Sequence, residues 1–455
     1  MKRIAKSWQI TAFVAVLLLV ITACSSPGSD DATTTVAPGT TAPEEPGSTE
    51  APTDTEGPTD TTVASGEPIH IGLIAPLTGP FSVVSEDLIA GWEMYWEDRG
   101  STIVAGREII WHAADDANDP ATGITQANGL VSQQNVSMIV GPVTTAVGSA
   151  VAEEMNRQGI PVFTPVLSDD NVTQRSPLEG VVRIAGWTAS QVTHVAGAWA
   201  ADQGYETAAT ICFDLQFGYE HCGGFANTFT DGGGDVTLQL WHPIGVEDFA
   251  TFVSQLSDAN PDVVFVGNSG PDAVRFVQAW ADFGLKDQIP LIATETTLDQ
   301  TSLRGLSAEA ADGLISVGHW AEGWDAPAAA AFTQAYLERE GQMPSYFAPA
   351  MYIAADWIAQ AIEALDGDVS DTQALVDQIR AITLENTPFG TQSLDDRDHT
   401  NQFVHIRQVE VRDDGLLWNV PIETYEDVSQ FWTYDPEEYL AQPAYSREYQ
   451  GLDWP

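Results

Sequence analysis

The sequence predicts an α/β protein with two doubly wound lobes, each built on a parallel sheet. From Pro68 onward, short β-branched and apolar runs alternate with longer helical patterns, which is typical of strands covered by helices on both faces. The alternation occurs in two successive series, and two lobes fit its strand count better than one open sheet does. Glycines, hydroxyl residues and single acids follow the strands, where ligands bind in open parallel sheets.

The first series starts with the strand IHIGLIA, residues 69–75, followed by a helix near residues 84–98. It continues with the strand EIIWHAA, the helix DPATGITQANGLVSQ, the strand VSMIVG, a further helix, and the strand IPVFT. In the second of these helices Asp119 is suited to the N-cap and Pro120 to the first helical position.

The second series begins with a helix over residues 189–203. The strands TAATICF, DVTLQLW and DVVFVG follow, each with its own helix, and the apolar run IPLIA is the next strand. Beyond it the chain is predicted to be mostly helical to about residue 382. That region includes YFAPAMYIAADWIAQAIEAL, which is apolar on nearly all sides and therefore expected to be buried.

The N-terminus reads as an export signal followed by a tether. Residues 1–23 begin with basic residues and continue with an apolar stretch that is shorter than a typical membrane-spanning helix. The tetrapeptide ending in Cys24 resembles a bacterial lipobox, which predicts that Cys24 carries a lipid; ordinary secretory cleavage is the alternative. Residues 24–67 are rich in Ser, Thr, Pro and acidic residues, so we expect a disordered tether.

Composition excludes some functions and leaves one cysteine pair to interpret. The formal net charge is -48 and the chain has only 17 Lys and Arg residues, so nucleic acid is not an expected partner. Outside the cytoplasm, Cys212 and Cys222 are predicted to form a disulfide, with two reduced thiols as the alternative.

The sequence contains none of four common catalytic or cofactor-binding motifs. There is no G-x-S-x-G nucleophile elbow, H-E-x-x-H zinc motif, phosphate-binding loop or G-x-G-x-x-G fingerprint. We therefore predict a protein that is not an enzyme, with no cofactor and no metal site. An exported hydrolase is kept as a rival, because a triad assembled in space leaves no local motif.

The ordered set of motifs resembles a known family. IHIGLIAPLTGPFS, DDANDPATG, IVGPVTTAVGSA, GIPVFTPVLSDDNVT, DLQFGYE and PDVVFVGNSGPDAV occur in this order, followed by the stretch around Glu295. Over about residues 68–410 the chain is similar to the leucine/isoleucine/valine-binding class of type I periplasmic binding proteins, which serve ABC importers.

The resemblance implies an architecture and a set of site residues. It implies lobe I from residues 68–188 with 318–390 and lobe II from residues 189–317 with 391–455, joined by three crossover segments. Ligand carboxylate contacts fall on Thr144, Thr145, Val166 and Ser168, the ligand ammonium on Glu295, and further contacts on Phe217, Ser269 and Gly270. For these residues the alternatives are helix capping, ordinary core packing or, for Glu295, a solvated loop acid.

The predicted function is capture of a small amino acid, branched-chain or otherwise apolar, for delivery to membrane permease subunits. The family often has an aromatic residue near Val84, which is absent here, so the solute stays open. The alternatives are an amide or urea, an aromatic acid, a polyamine favoured by Asp169, Asp170 and Asp214, or a sensory receptor. We also expect the aromatic C-terminal region to wrap one lobe.

Overall fold

The computed structural model describes residues 64–452. The predicted signal peptide, the lipidation site Cys24 and residues 24–63 of the predicted tether lie outside the described residues, as does Trp454. None of the helices within residues 64–452 combines the length and the apolar character needed to cross a membrane.

The first sheet has six strands in the order β2-β3-β1-β4-β5-β6, all parallel except β2. The strands are β1 (Ile69–Ala75), β2 (Ile103–Val104), β3 (Arg107–Asp115), β4 (Met138–Val140), β5 (Val162–Phe163) and β6 (Val181–Val182), with helices α1 (Ser82–Arg99), α2 (Pro120–Gln134) and α3 (Thr145–Gln158) between them. Asp119 caps α2 by accepting a hydrogen bond from the Thr122 backbone N–H, and Pro120 occupies its first position, as the sequence predicted.

The second sheet has seven strands in the order β15-β14-β11-β10-β9-β7-β8, where β14 (Gln402–Val411) and β15 (Leu417–Val428) come from the C-terminal part of the chain. Its parallel part consists of β7 (Thr207–Phe213), β8 (Asp235–His242), β9 (Val263–Gly267), β10 (Leu291–Thr294) and β11 (Ile315–Gly318). The associated helices are α4 (Ala189–Asp202), α5 (Gln216–Asp231), α6 (Ala250–Ala259), α7 (Gly270–Asp282), α8 (Gln300–Leu303) and α9 (Ala308–Ala311).

After β11 the chain returns to the first sheet through α10 (Pro327–Glu340), α11 (Phe347–Ala364) and α12 (Thr372–Ala381). The predicted apolar helix is α11, and it packs along α1. The close approach requires Gly91 in α1, because a Cβ at that position would overlap the backbone of Ala348. This packing buries both helices against the first sheet.

The last part of the chain departs from the prediction of parallel sheets. A small hairpin, β12 (Leu384–Thr387) with β13 (Gly390–Gln392), precedes a long antiparallel hairpin, β14 (Gln402–Val411) with β15 (Leu417–Val428), and a final helix α13 (Pro436–Ala441). β14 joins β11 antiparallel, so the second sheet is mixed. An antiparallel hairpin at a sheet edge needs no crossover helix, so the alternation of strands and helices did not predict it.

The predicted α/β class with two doubly wound sheets is confirmed. The chain passes between the sheets three times: between β6 and α4, between β11 and α10, and between α12 and β14. The exact lobe boundaries given by the sequence stay a prediction.

Candidate functional site

A cavity of about 310 Å³ lies where the carboxyl ends of the two sheets face each other. Loops that follow strands of both sheets contribute to it, together with the first residues of α11. It is lined by Phe81, Val84, Asn118, Val143, Thr144, Thr145, Ala146, Val166, Ser168, Phe213, Leu215, Phe217, Ile244, Ser269, Thr296, Tyr346 and Phe347. A ligand in this cavity would therefore touch both sheets' loops at once.

The structure brings most of the predicted ligand-binding residues together. The first sheet supplies Thr144, Thr145, Val166 and Ser168, and the second supplies Phe217 and Ser269. They meet because each follows a parallel strand, and parallel strands of one sheet end at the same edge. Their contact with a ligand stays a prediction.

Gly270 does not line the cavity but begins α7 directly after Ser269. Its φ angle is +58°, and a Cβ built there would lie 3.3 Å from Cε1 of Phe81, which belongs to the first sheet's side of the cavity. Gly270 therefore allows the two sides to approach closely at this point.

Two hydroxyl groups at the start of α3 differ in their bonding. Thr144 is the N-cap residue but makes no capping bond; its Oγ1 donates to Oδ1 of Asn118 over 2.8 Å. Thr145 Oγ1 is buried and has no hydrogen-bond partner among the residues that the structure describes. Since an unpaired buried hydroxyl is costly, Thr145 is the group in this wall best placed to bind a ligand oxygen.

Helix N-termini converge on the cavity without side-chain caps. In the described part of the chain, the N-cap residues of α1, α3, α5, α7 and α11 line the cavity and none makes a side-chain capping bond: Phe81, Thr144, Leu215, Ser269 and Tyr346. Outside the lining, α2, α4 and α12 are capped by Asp119, Thr188 and Asp371, whereas α6 and α10 begin without a side-chain cap. In α1 and α11 some of the first N–H groups already bond to the preceding loop, Ser82 to the Gly79 carbonyl and Ala348 to the Ser345 carbonyl. Where first-turn N–H groups are not used in this way, they and the positive end of the helix dipole favour an anion.

Apart from Asn118 and the hydroxyl residues, the lining is aromatic and aliphatic, and no charged side chain of the described residues is part of it. Rings come from both sides: Phe81 from the first sheet, Phe213 and Phe217 from the second, and Tyr346 and Phe347 from α11. A cavity of this kind favours a ligand with an apolar body and one anionic end.

Glu295 was predicted to bind a ligand ammonium, and the structure gives it a different partner. Its fully buried carboxylate lies outside the lining, with Oε1 2.8 Å from Nδ1 of His319 and Oε2 accepting the His319 backbone N–H over 3.0 Å. The residue does follow a strand, but its side chain is directed toward β11. Gly318 leaves room for it there, since a Cβ on Gly318 would overlap the carboxylate.

His319 lies where the three crossover segments meet. Trp187, in the first crossover, stacks on the His319 ring with 5.5 Å between ring centroids. Phe389, in the third, packs edge-on at 4.7 Å, and the cavity residue Tyr346 lies at 5.4 Å. The Glu295–His319 pair is therefore part of the hinge packing beneath the cavity.

The three aspartates proposed to favour a cationic solute also lie outside the lining. Asp169 caps a short 3-10 turn (Asp170–Val172), Asp170 accepts the Ser190 backbone N–H, and Asp214 pairs with Arg447. The alternative of a cationic solute therefore has no support from these three carboxylates.

Cys212 and Cys222 are joined by a disulfide, with 6.3 Å between their Cα atoms. The bridge links the end of β7 to α5, and the residues it encloses include Phe213, Leu215 and Phe217 of the cavity wall. Beside it, His221 packs on Phe217 with 4.1 Å between ring centroids, and burial lowers the pKa of His221 to about 4. The imidazole is therefore neutral at physiological pH, and this wall stays uncharged.

Sequence reasoning missed several lining residues. Asn118 lies in the loop after β3, a position the strand-end rule covers, so a signal for it existed in the sequence. Ile244 follows β8 in the same way. Tyr346 and Phe347 gave no such signal, because α11 reaches the cavity only through its packing against α1.

The described residues contain no group of three or more His, Cys, Asp or Glu side chains arranged to hold a metal ion. The polar groups of the lining are hydroxyls, one amide and backbone atoms.

Comparisons with known proteins give the family and agree with the fold. A model of the family described as "Periplasmic binding protein" matches residues 68–415. The Leu/Ile/Val-binding protein homolog 6 of Brucella melitensis is 26% identical over 371 residues, covering 80% of this chain and 93% of its own. Two solved structures each have a TM-score of 0.75 and 27% identity, and each covers 80% of this chain. One is an ABC transporter substrate-binding protein from Sphaerobacter thermophilus, and the match spans 99% of that protein's chain. The other is a solute-binding protein of an ABC transporter from Rhodopseudomonas palustris BisB5 in complex with 3,4-dihydroxybenzoic acid, and the match spans 98% of its chain.

Proposed function

Because the chain belongs to the periplasmic binding protein family, we propose that it is the extracytoplasmic solute receptor of an ABC importer and that it captures a small aromatic carboxylate. The observation that carries the proposal is the composition of the cavity wall. Rings from both sheets and from α11 surround uncapped helix starts and hydroxyls, and none of the described residues that line the space has a charged side chain.

The carboxylate end would lie at the start of α3. The free hydroxyl of Thr145, the first-turn N–H groups of that helix and the nearby Ser168 supply donors without adding a formal charge. Backbone and hydroxyl donors of this kind hold a carboxylate well in a cavity shielded from water.

The apolar body would lie among the rings. Phe81 and Phe217 face the space from opposite sides, with Tyr346 and Phe347 at the base. Ring stacking and edge contacts add to simple burial of apolar area for an aromatic ligand. The Rhodopseudomonas palustris protein, which is similar over 80% of this chain, holds 3,4-dihydroxybenzoic acid, and this supports the same ligand class here.

A branched-chain or other apolar amino acid is the second candidate. The name of the Brucella melitensis relative favours it. An α-amino acid, however, would bring an ammonium group into a lining without a carboxylate, since Glu295 is held by His319. An unpaired buried charge is expensive, so we rank this ligand below the aromatic acid. A polyamine is disfavoured for the same reason.

Capture would proceed by hinge closure at the three crossovers. A ligand that contacts residues of both sheets stabilises the closed form by bridging them. The loaded receptor would then pass its solute to permease subunits, held near the membrane by a lipid on Cys24 and by the tether. Both of these features are part of the proposal.

A ligand screen tests the proposal directly. Thermal-shift measurements would compare benzoate, 4-hydroxybenzoate and phenylacetate with L-leucine, L-phenylalanine and the neutral benzamide, followed by calorimetry on every compound that stabilises the protein. We expect the aromatic carboxylates to stabilise the protein and benzamide to have little effect. Stabilisation by L-leucine with none by the aromatic acids would overturn the choice of ligand. Turnover of any compound would overturn the receptor role.

A further inference from the structure

The C-terminal segment, residues 429–452, extends beyond the part of the chain that the family model matches, which ends at residue 415. We infer that this segment is a clasp that holds one wall of the cavity in place by tying it to the hinge side of the first sheet. The sequence led us to expect that it wraps one lobe, but its contacts reach both.

On the side of the first sheet, the clasp binds the chain between β5 and β6. Gln430 is fully buried; its Oε1 accepts a hydrogen bond from Thr173 Oγ1 over 2.9 Å, and its Nε2 donates to Asp395 of the third crossover over 2.8 Å. Arg175 donates to the carbonyl oxygen of Tyr439 over 3.3 Å, and its guanidinium lies 5.1 Å from the centroid of the Tyr439 ring.

On the side of the second sheet, the clasp binds α4 and α5. The Tyr445 hydroxyl lies 2.9 Å from Nε2 of His194 in α4 and donates to Oδ1 of Asn227 in α5 over 2.7 Å. α5 has Gly223 under the Tyr445 ring, and a Cβ at that position would overlap ring atoms. The tyrosine is thus seated in a place shaped for it, and it is itself buried.

The clasp also reaches the loop that carries cavity residues. Arg447 Nη1 lies 2.8 Å from Oδ2 of Asp214, which stands between Phe213 and Leu215 of the lining. Gln216, the neighbour of Phe217, donates through Nε2 to the Tyr445 carbonyl oxygen over 3.2 Å. The wall formed by residues 213–217 is therefore held from behind by the clasp.

Next to the clasp, hydrogen bonds connect the two sides directly. Asp170, from the chain between β5 and β6, accepts the Ser190 backbone N–H of α4 over 3.2 Å and gives its own N–H to Glu220 of α5 over 3.3 Å. The clasp binds residues next to these two hydrogen bonds on both sides. Removing a clasp contact on one side is therefore expected to increase local opening on the other side as well. This reciprocity separates a clasp from two independent local contacts.

Hydrogen–deuterium exchange on the full chain tests the clasp without any ligand. Arg447→Ala removes a half-exposed ion pair and is expected to fold. Arg175→Ala removes the anchor on the opposite side, and Arg412→Ala, which loses only a contact with Trp418 (4.6 Å from the ring centroid), is the matched control. We expect Arg447→Ala to speed exchange by about twofold or more at residues 213–219 and also at 173–175.

The reciprocal result is expected for Arg175→Ala, with faster exchange at residues 213–219, while Arg412→Ala changes neither segment. If Arg175→Ala fails to fold, Gln430→Ala replaces it. Effects confined to each variant's own neighbourhood would overturn the clasp, and so would an equal effect of the control. Because exchange is measured without ligand, a failure here is distinct from a failure of the aromatic-acid proposal.

Discussion

The free hydroxyl of Thr145 offers a direct test of where the carboxylate binds. Thr145→Val keeps a β-branched side chain at the first position of α3 and removes only the hydroxyl. In the described structure that hydroxyl has no partner, so its removal breaks no internal hydrogen bond. The change should therefore weaken binding, and it should leave the free energy of unfolding unchanged or slightly higher, because a buried hydroxyl without a partner is replaced by a methyl group.

The size of the effect follows from the type of bond. A hydrogen bond to a charged group contributes about 1.5–3 kcal/mol, which corresponds to roughly a 10- to 150-fold increase in Kd. Calorimetry with 4-hydroxybenzoate, near neutral pH where its carboxylate is ionised, measures this directly. Thermal unfolding of the same samples reports stability.

Thr210 provides the matched control. Its hydroxyl is also buried and lacks a partner within residues 64–452, but it lies in β7 and outside the cavity lining. Thr210→Val should leave the affinity unchanged. If Thr145→Val binds within about twofold of wild type, or if Thr210→Val weakens binding equally, the carboxylate is not held at α3.

Three further predictions concern the acids and the contact across the cavity. Glu295→Gln should leave the Kd for an aromatic acid within about threefold of wild type in calorimetry, because its carboxylate partners His319; a larger loss would return Glu295 to the site. Burial raises the pKa of Asp170 to about 6 in the folded protein, whereas in the unfolded chain it is about 4. As far as Asp170 is concerned, the fold is therefore most stable below about pH 4, where this residue is protonated in both states, and this contribution is lost as the pH rises through about 6. Urea unfolding should show that the stability of Asp170→Asn relative to wild type increases by up to ~3 kcal/mol as the pH rises from about 4 to 8. A stability difference that does not change with pH would contradict a buried, ionising Asp170. Gly270→Ala puts a Cβ on a residue with φ +58°, 3.3 Å from the Phe81 ring, and should weaken ligand binding through faster dissociation, seen by stopped flow; an unchanged dissociation rate would refute the need for this close approach.

The prediction of secondary structure was most accurate for buried strands in the parallel parts of the sheets. β1, β7 and β10 were found from their apolar runs, and the residues after such strands met at one cavity as expected. The β14–β15 hairpin was not predicted, although QFVHIRQVEV contains apolar residues with partial alternation. Pairing of a hairpin at a sheet edge depends on which edge is free, and that is settled only after the parallel strands assemble.

Glu295 shows the limit of reasoning from strand ends. Its position after β10 was read correctly, but the direction of its side chain depends on space beside Gly318 and on His319, which come from the next strand and the following crossover. A buried carboxylate goes to the donor that the packed structure offers, and no local pattern identifies that donor.

The alternation of strands and helices, the two-sheet architecture and the set of loops that end at the cavity could be predicted from the residue order, because apolar periodicity and strand-end position are local properties. Three other features required the packed structure: no charged side chain of residues 64–452 lines the cavity, α11 brings Tyr346 and Phe347 into it, and the C-terminal segment contacts both sides. These features arise from contacts between residues far apart in the chain. Their energies depend on which groups become neighbours after the sheets and helices have packed.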